Sequence, residues 1–200
     1  VPLVLWLFTR APLGVLPSLA LGIALVATHR LYARPFALAR AGTRCLWCGG
    51  LATDGPTLAV LEPLGATRWR ACGEPHAGRL RRVFGFAARH APFLRAGILG
   101  TLAVFLAASL AAGLGRLWPA AAADAVALFR IGIAVTVLPL GWLSEVRGPT
   151  AGEPAPVPFP VHIQALIGTG AVVWLFRLVG LAWLVLGVIH VATRIGAPHP

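Results

Sequence analysis

Three cysteines and a histidine carry the most specific chemical signal in the chain: Cys45, Cys48, Cys72 and His76, spaced Cys-x2-Cys-x23-Cys-x3-His. Thiolate sulfur and imidazole nitrogen are the donors tetrahedral Zn2+ prefers, and two donors separated by two residues fit one tight turn under an ion. Gly49 and Gly50 let the backbone leave that turn. The set reads as a structural zinc site, because four protein donors leave no open position for a reacting water. A disulfide would leave one thiol over, and a thioredoxin-like pair would need a βαβ surround that this segment lacks. Covalent haem needs Cys-x-x-Cys-His, and Gly49 stands where that histidine would be. The remaining alternative is three unrelated cysteines acting as small apolar side chains.

The elements that must hold these donors are also readable. Residues 57–61 and 67–71 have strand character around the turn-rich Glu62-Pro63-Leu64-Gly65. Glu74 and Pro75 look like the first turn of a helix running through Arg79 and Arg82, which places His76 in that turn. Knuckle, hairpin and helix in this order are similar to a treble-clef or zinc-ribbon module over about residues 44–82. The chain departs from the commonest form by having Cys-x3-His as its second pair. The resemblance implies a metal-stabilised mini-domain and names no activity. So short a polar segment buries too little apolar area to fold alone, and a structural metal supplies ~10 kcal/mol or more of apparent free energy. Arg44, Arg68 and Arg70 are placed to offset the thiolate charge.

The rest of the chain is apolar. Of 200 residues 58% are hydrophobic and 12% charged, with six acids in all, and the mean hydropathy is +0.82. So few charges cannot clothe a water-soluble fold of this size, which excludes a soluble enzyme. Four stretches, residues 11–28, 97–115, 125–143 and 167–192, are long and apolar enough to cross ~30 Å of hydrocarbon. The expected fold is mainly α and integral to a membrane, with four transmembrane helices and a small cytoplasmic hairpin-and-helix insertion. It divides into residues 1–28, the metal module and basic helix 29–96, spans 97–115 and 116–143 with its outer loop, a Pro-rich linker 144–166, and the last span with its tail 167–200.

Eleven of the seventeen basic residues lie between the first and second spans. Positive charge stays on the cytoplasmic side of short loops, so residues 29–96 are expected in the cytoplasm and both termini outside. Only Arg10 precedes the first apolar run, which therefore reads as an uncleaved anchor and not as a signal peptide. Every basic residue is Arg, with no Lys and no Met, as very GC-rich coding produces; the expected location is a bacterial inner membrane.

Residues 79–95 place Leu80, Val83, Phe84, Ala87, Ala91 and Leu94 on one helical face, with Phe86 and Phe93 interrupting the other and Pro92 ending or kinking the helix. Arg79, Arg81, Arg82, Arg89 and Arg95 are expected on anionic headgroups of the inner leaflet. Nucleic acid is the weaker partner. It would need Trp47 or Trp69 exposed for stacking, and the membrane already accounts for the arginines. In the second span Ala103, Ala107, Ala111 and Gly115 form a ribbon of small residues on which a partner membrane protein or a second copy could pack, although an Ala-rich chain also makes such ribbons by chance.

Arg177 lies deep in the last span and needs a partner: a backbone carbonyl, a lipid phosphate, an acid of another subunit, or Asp124. His29 and His162 share the cytoplasmic side and are the one pair placed for a bis-His haem, which is disfavoured for want of a motif; His190 lies near the outer side. Residues 144–162, with Pro149, Pro154, Pro156, Pro158 and Pro160, read as a semi-rigid linker. No phosphate loop, nucleophile elbow or His-Glu-x-x-His occurs. The leading reading is a non-catalytic accessory, scaffold or assembly subunit with a structural zinc. The alternatives are a small transporter or lipid-binding protein using Arg177, and a haem- or thiol-dependent electron-transfer subunit.

Overall fold

The structure, a computed structural model, describes residues 23–24, 26–62, 65–113, 119–147, 156–159 and 161–195. The expected first span, residues 11–28, lies outside them except for its last residues, as do Gly115, Pro149, Pro154 and Pro160. A π-helical turn, His29–Ala33, continues into helix α1 (Arg34–Arg40).

The hairpin forms as its alternation dictates. Strand β1 (Thr57–Glu62) turns Leu58, Val60 and Glu62 inward, and pairs antiparallel with β2 (Gly65–Arg70), Leu58 opposite Trp69 and Val60 opposite Thr67. Glu62, expected in the turn, belongs to β1. It has the parity of Leu58 and Val60, so a period of two carries its carboxylate into the core. The second strand starts at Gly65 instead of Thr67, with Gly65 at φ 122°, a conformation that side chains resist.

Helix α2 (Glu74–Arg89) buries Ala77, Leu80, Val83, Phe84, Phe86 and Ala87. Phe86 is thus part of the packed face and does not interrupt the polar one. The helix stops at His90, and α3 (Ala91–Gly113) starts at once with Pro92 in its first turn, where a missing N–H costs no helical bond. The single helix expected over residues 79–95 is therefore two, and the apolar helix begins at Ala91 instead of Gly97.

Among the described residues, helices α3, α4 (Pro119–Arg147) and α6 (Thr169–Ile195) contain three stretches long and apolar enough to cross a membrane, Ala91–Ala111, Ala123–Val146 and Thr169–Ile195, where four were expected over the whole chain. Helix α4 is central: 39% of its apolar stretch is buried, against 11% in α3 and 17% in α6. Helix α3 runs antiparallel to it, Gly97 against Thr136 and Thr101 against Gly132. Helix α6 also runs antiparallel to α4, Gly180 against Leu138 and Gly187 against Ile131. Phe129 of α4 sits between Phe105 of α3 and Trp183 of α6. The small-residue ribbon is not the face α3 uses here. Ala103 and Ala107 are exposed and Ala111 is half-buried, while Gly97, Thr101 and Phe105 meet α4.

Part of the expected Pro-rich linker is built into the module. Pro156 bridges to Leu61, the Val157 N–H donates to the Leu61 carbonyl at 3.0 Å, and Val157 and Val161 are buried. A 3-10 turn (Val161–Ile163) and the short helix α5 (Gln164–Ile167) then lead into α6. Leu46, Trp69, Leu80, Val83, Val157, Val161 and Val173 are each at most 2% exposed and belong to one cluster. The module and the start of α6 therefore share a core.

Candidate metal centre

The knuckle is closed by two backbone bonds, from the Cys45 N–H to the Gly50 carbonyl and from the Gly49 N–H to the Cys45 carbonyl, both 2.8 Å. Gly49 makes the reversal at φ 73°. The Leu46 N–H donates to the Arg70 carbonyl at 2.8 Å, so the end of β2 fixes the knuckle and carries the chain on to Cys72. Gly73, in extended backbone, precedes α2, whose first turn supplies His76. The donor atoms of Cys45, Cys48, Cys72 and His76 all lie within 4.8 Å of one another. His76 Nδ1 is 2.9 Å from the Cys72 sulfur and 3.6 Å from that of Cys45.

This arrangement fits a tetrahedral ion, whose donors stand about 3.8 Å apart for bonds of ~2.3 Å. Three sulfurs and one imidazole nitrogen are a soft set. Among the described residues it is the one group of three or more ligand-type side chains so placed. Cys45 is buried, Cys48 and Cys72 are exposed and His76 is half-buried. Burial pushes the Cys45 thiol up, but N–H groups of Cys48, Cys72 and Trp47 together with His76 outweigh it and bring it down to about 6. For Cys72, lost hydration and then the neighbouring Cys45 and Cys48 sulfurs act in one direction and push it up to about 11. Negative charge is thus favoured on the Cys45 sulfur and resisted on that of Cys72 beside it.

The approach of Gly55 to the second ligand pair is the tightest in the module. A Cβ there would lie 1.6 Å from the Ala71 carbonyl oxygen, next to Cys72. Gly55→Ala is expected to displace residues 71–72, lower metal affinity and cost about 1–3 kcal/mol; a metal titration and a melting curve on the variant check this.

What sequence reasoning missed is where the knuckle docks. The Thr169 N–H donates to the Leu46 carbonyl at 2.7 Å and the Gly170 N–H to the Trp47 carbonyl at 2.9 Å, so the knuckle supplies acceptors to the first turn of α6. Gly168, at φ 90°, lies so close that a Cβ would come within 2.6 Å of the Trp47 oxygen. The glycines at 168 and 170, just before the last apolar stretch, were the available signal.

The other expected site residues divide. Arg79 lies 5.6 Å from the Trp47 ring, Arg81 pairs with Glu74 at 3.2 Å, and Arg82 has its Nε buried with no partner among the described residues. Arg89 and Arg95 are exposed. The five arginines are therefore not one free basic face. Trp47 and Trp69 are 7% and 1% exposed, so neither ring is free to stack on a base. Arg44 donates to the Gly49 carbonyl at 3.0 Å, bracing the knuckle.

Arg177 has its partners within the chain. Its Nε donates to the Gly141 carbonyl at 2.6 Å and its Nη2 to Glu145 at 2.8 Å, with the Trp142 and Trp174 rings 5.1 and 4.9 Å away. Asp124, one expected candidate, binds His190 and Arg194 at the other end of the helices. Glu145 was overlooked because the expected span ended at Leu143, whereas α4 runs to Arg147. Arg177→Leu and Glu145→Leu are each expected to destabilise the chain, and the double variant by less than their sum, with a coupling of about 1–2 kcal/mol in a double-mutant cycle of melting free energies.

His29 and His162 do meet, ring to ring at 4.4 Å and through their Nε2 atoms. The other His162 nitrogen, Nδ1, faces Glu62 at 3.2 Å. Lost hydration, then His162, Arg30 and Arg34, hold His29 below the ordinary imidazole range. No protein-family model matches the chain, and neither a curated protein nor a solved structure matches it.

Proposed function

We propose that the chain is a non-catalytic, membrane-embedded accessory or assembly subunit whose cytoplasmic module is stapled by a structural zinc ion. The observation that carries this reading is the closed Cys45, Cys48, Cys72 and His76 set on a knuckle that itself bonds the first turn of α6. Four protein donors favour a structural over a catalytic ion, and the order knuckle, hairpin, helix supports the likeness to a treble-clef module. Three apolar helices and the arginine excess before α3 support insertion with residues 29–96 in the cytoplasm of a bacterial inner membrane and the C-terminus outside; an N-terminus on the outside rests on the further span expected over residues 11–28. The exposed Ala103 and Ala107 offer the face for a partner membrane protein or a second copy. An anion site at Arg177 would first have to break the pair with Glu145.

Elemental analysis of the chain extracted from membranes in mild detergent tests the metal, with about one zinc per chain expected. Thiol labelling tests the side: an impermeant maleimide should reach Cys48 only after cells are opened and the metal chelated. A chain free of zinc sinks the staple. Release from membranes by alkaline carbonate, or labelling of unopened cells, sinks the placement.

A further inference from the structure

Where α2 stops and α3 begins, the chain turns a corner against α4 and leaves a crevice of about 280 Å3. Its walls come from three helices: Phe86 from α2, Phe93 and Leu94 from α3, and Pro139 and Leu143 from α4, with Arg89 and His90 as the polar members. No acid lines it, and Glu145, beyond Leu143 on α4, is already bonded by Arg177. Arg89 is exposed and has no ion pair among the described residues. His90 spends its Nδ1–H on the Phe86 carbonyl at 2.9 Å, which leaves Nε2 for another partner. Phe93 and Leu143 are 48% and 36% exposed while Phe86 and Leu94 are buried, so the apolar wall is closed on its inner side and open on the outer one.

An apolar slot with an unpaired cation at its mouth, at the N-terminal end of an apolar helix, matches one kind of molecule in both chemistry and position. We propose that this crevice holds one anionic phospholipid, its phosphate on Arg89 and His90 Nε2 and an acyl chain along Phe93, Pro139 and Leu143. The inference rests on the membrane reading above and goes beyond it. General headgroup attraction needs only net charge, whereas this site has a shape, and the corner at His90 builds it. Pro139 leaves α4 without one main-chain N–H and adds to the apolar wall.

The test uses the full chain taken from membranes in mild detergent, delipidated and titrated with phosphatidylglycerol or phosphatidylcholine while bound lipid is counted by native mass spectrometry. Phosphatidylglycerol should bind roughly five-fold or more tightly than phosphatidylcholine, and Arg89→Ala should erase most of that difference. Leu143→Trp, which fills the slot, should weaken both lipids, with metal content unchanged as the control for folding. Equal binding of the two lipids, an unchanged preference in Arg89→Ala, or displacement of the lipid by inorganic phosphate would each overturn the site. A chain that needs no detergent fails the membrane reading itself, which is a separate result from detergent-solubilised protein that shows no lipid preference.

Discussion

Cys45→Ser is expected to abolish stoichiometric metal binding and unfold the module in the same step. Cys45 is 1% exposed, and its own N–H and carbonyl close the knuckle, so serine would have to keep a poor ligand buried at the centre of the turn. A structural zinc contributes on the order of 10 kcal/mol or more at neutral pH, comparable to the whole stability of a domain. Chelation should act alike, and because Trp47 and Trp69 are buried in that core, loss of the metal should shift their emission to longer wavelength. Cys48→Ser should do less, since Cys48 is exposed and a serine hydroxyl there stays hydrated instead of being buried in the core. The pH dependence has a definite sign. Without metal Cys72 keeps its proton up to about 11, so loading at neutral pH expels it, acid is released, and affinity falls as pH falls. In the metal-free protein the Cys45 contribution is full above the ordinary thiol range and is lost as pH falls through about 6. An emission spectrum unmoved by complete chelation would show that the metal does not hold the module.

How much of this was legible depended on the range of the interaction. The four donors were readable because ligand type and spacing are local properties, and the hairpin because alternation is. The α2–α3 boundary was misplaced because Pro92 reads equally as the end of one helix or the first turn of the next, and only the packing of α2 against α4 decides. The docking of Leu46 and Trp47 carbonyls on Thr169 and Gly170 pairs residues more than a hundred positions apart, and no periodicity encodes that. The prolines from 149 to 160 suggested an unattached strip. Val157 and Val161, between and after them, were the clue that part of it is buried. Arg177, a lone charge in an apolar stretch, calls for a partner on sequence grounds, but which partner depends on α4 continuing past Leu143.

These long-range contacts tether the last helix to the module in two places, and they separate experimentally. One is the metal knuckle on the first turn of α6. The other is Glu62, 6% exposed, which accepts from Thr67 Oγ1 at 2.6 Å, Trp69 Nε1 at 3.3 Å, the Val161 N–H at 2.9 Å and His162 Nδ1 at 3.2 Å. Four donors around a buried carboxylate satisfy its charge, and deleting it leaves all four without that acceptor. Glu62→Leu is therefore expected to cost about 3–5 kcal/mol, and Glu62→Gln less, since the amide keeps one acceptor oxygen while turning an N–H toward the others. His162 would also lose the group that orients it toward His29. Hydrogen exchange should locate the damage: amides at Val157 and Val161 should open in Glu62→Leu while those of Cys45 and Gly49 stay protected by the bound metal, and partial chelation of the wild type should give the reverse order. If Glu62→Leu melts like the wild type, the carboxylate is not what holds the hairpin to the approach of α6, and the shared apolar core of Trp69, Val157 and Val161 would have to do so alone.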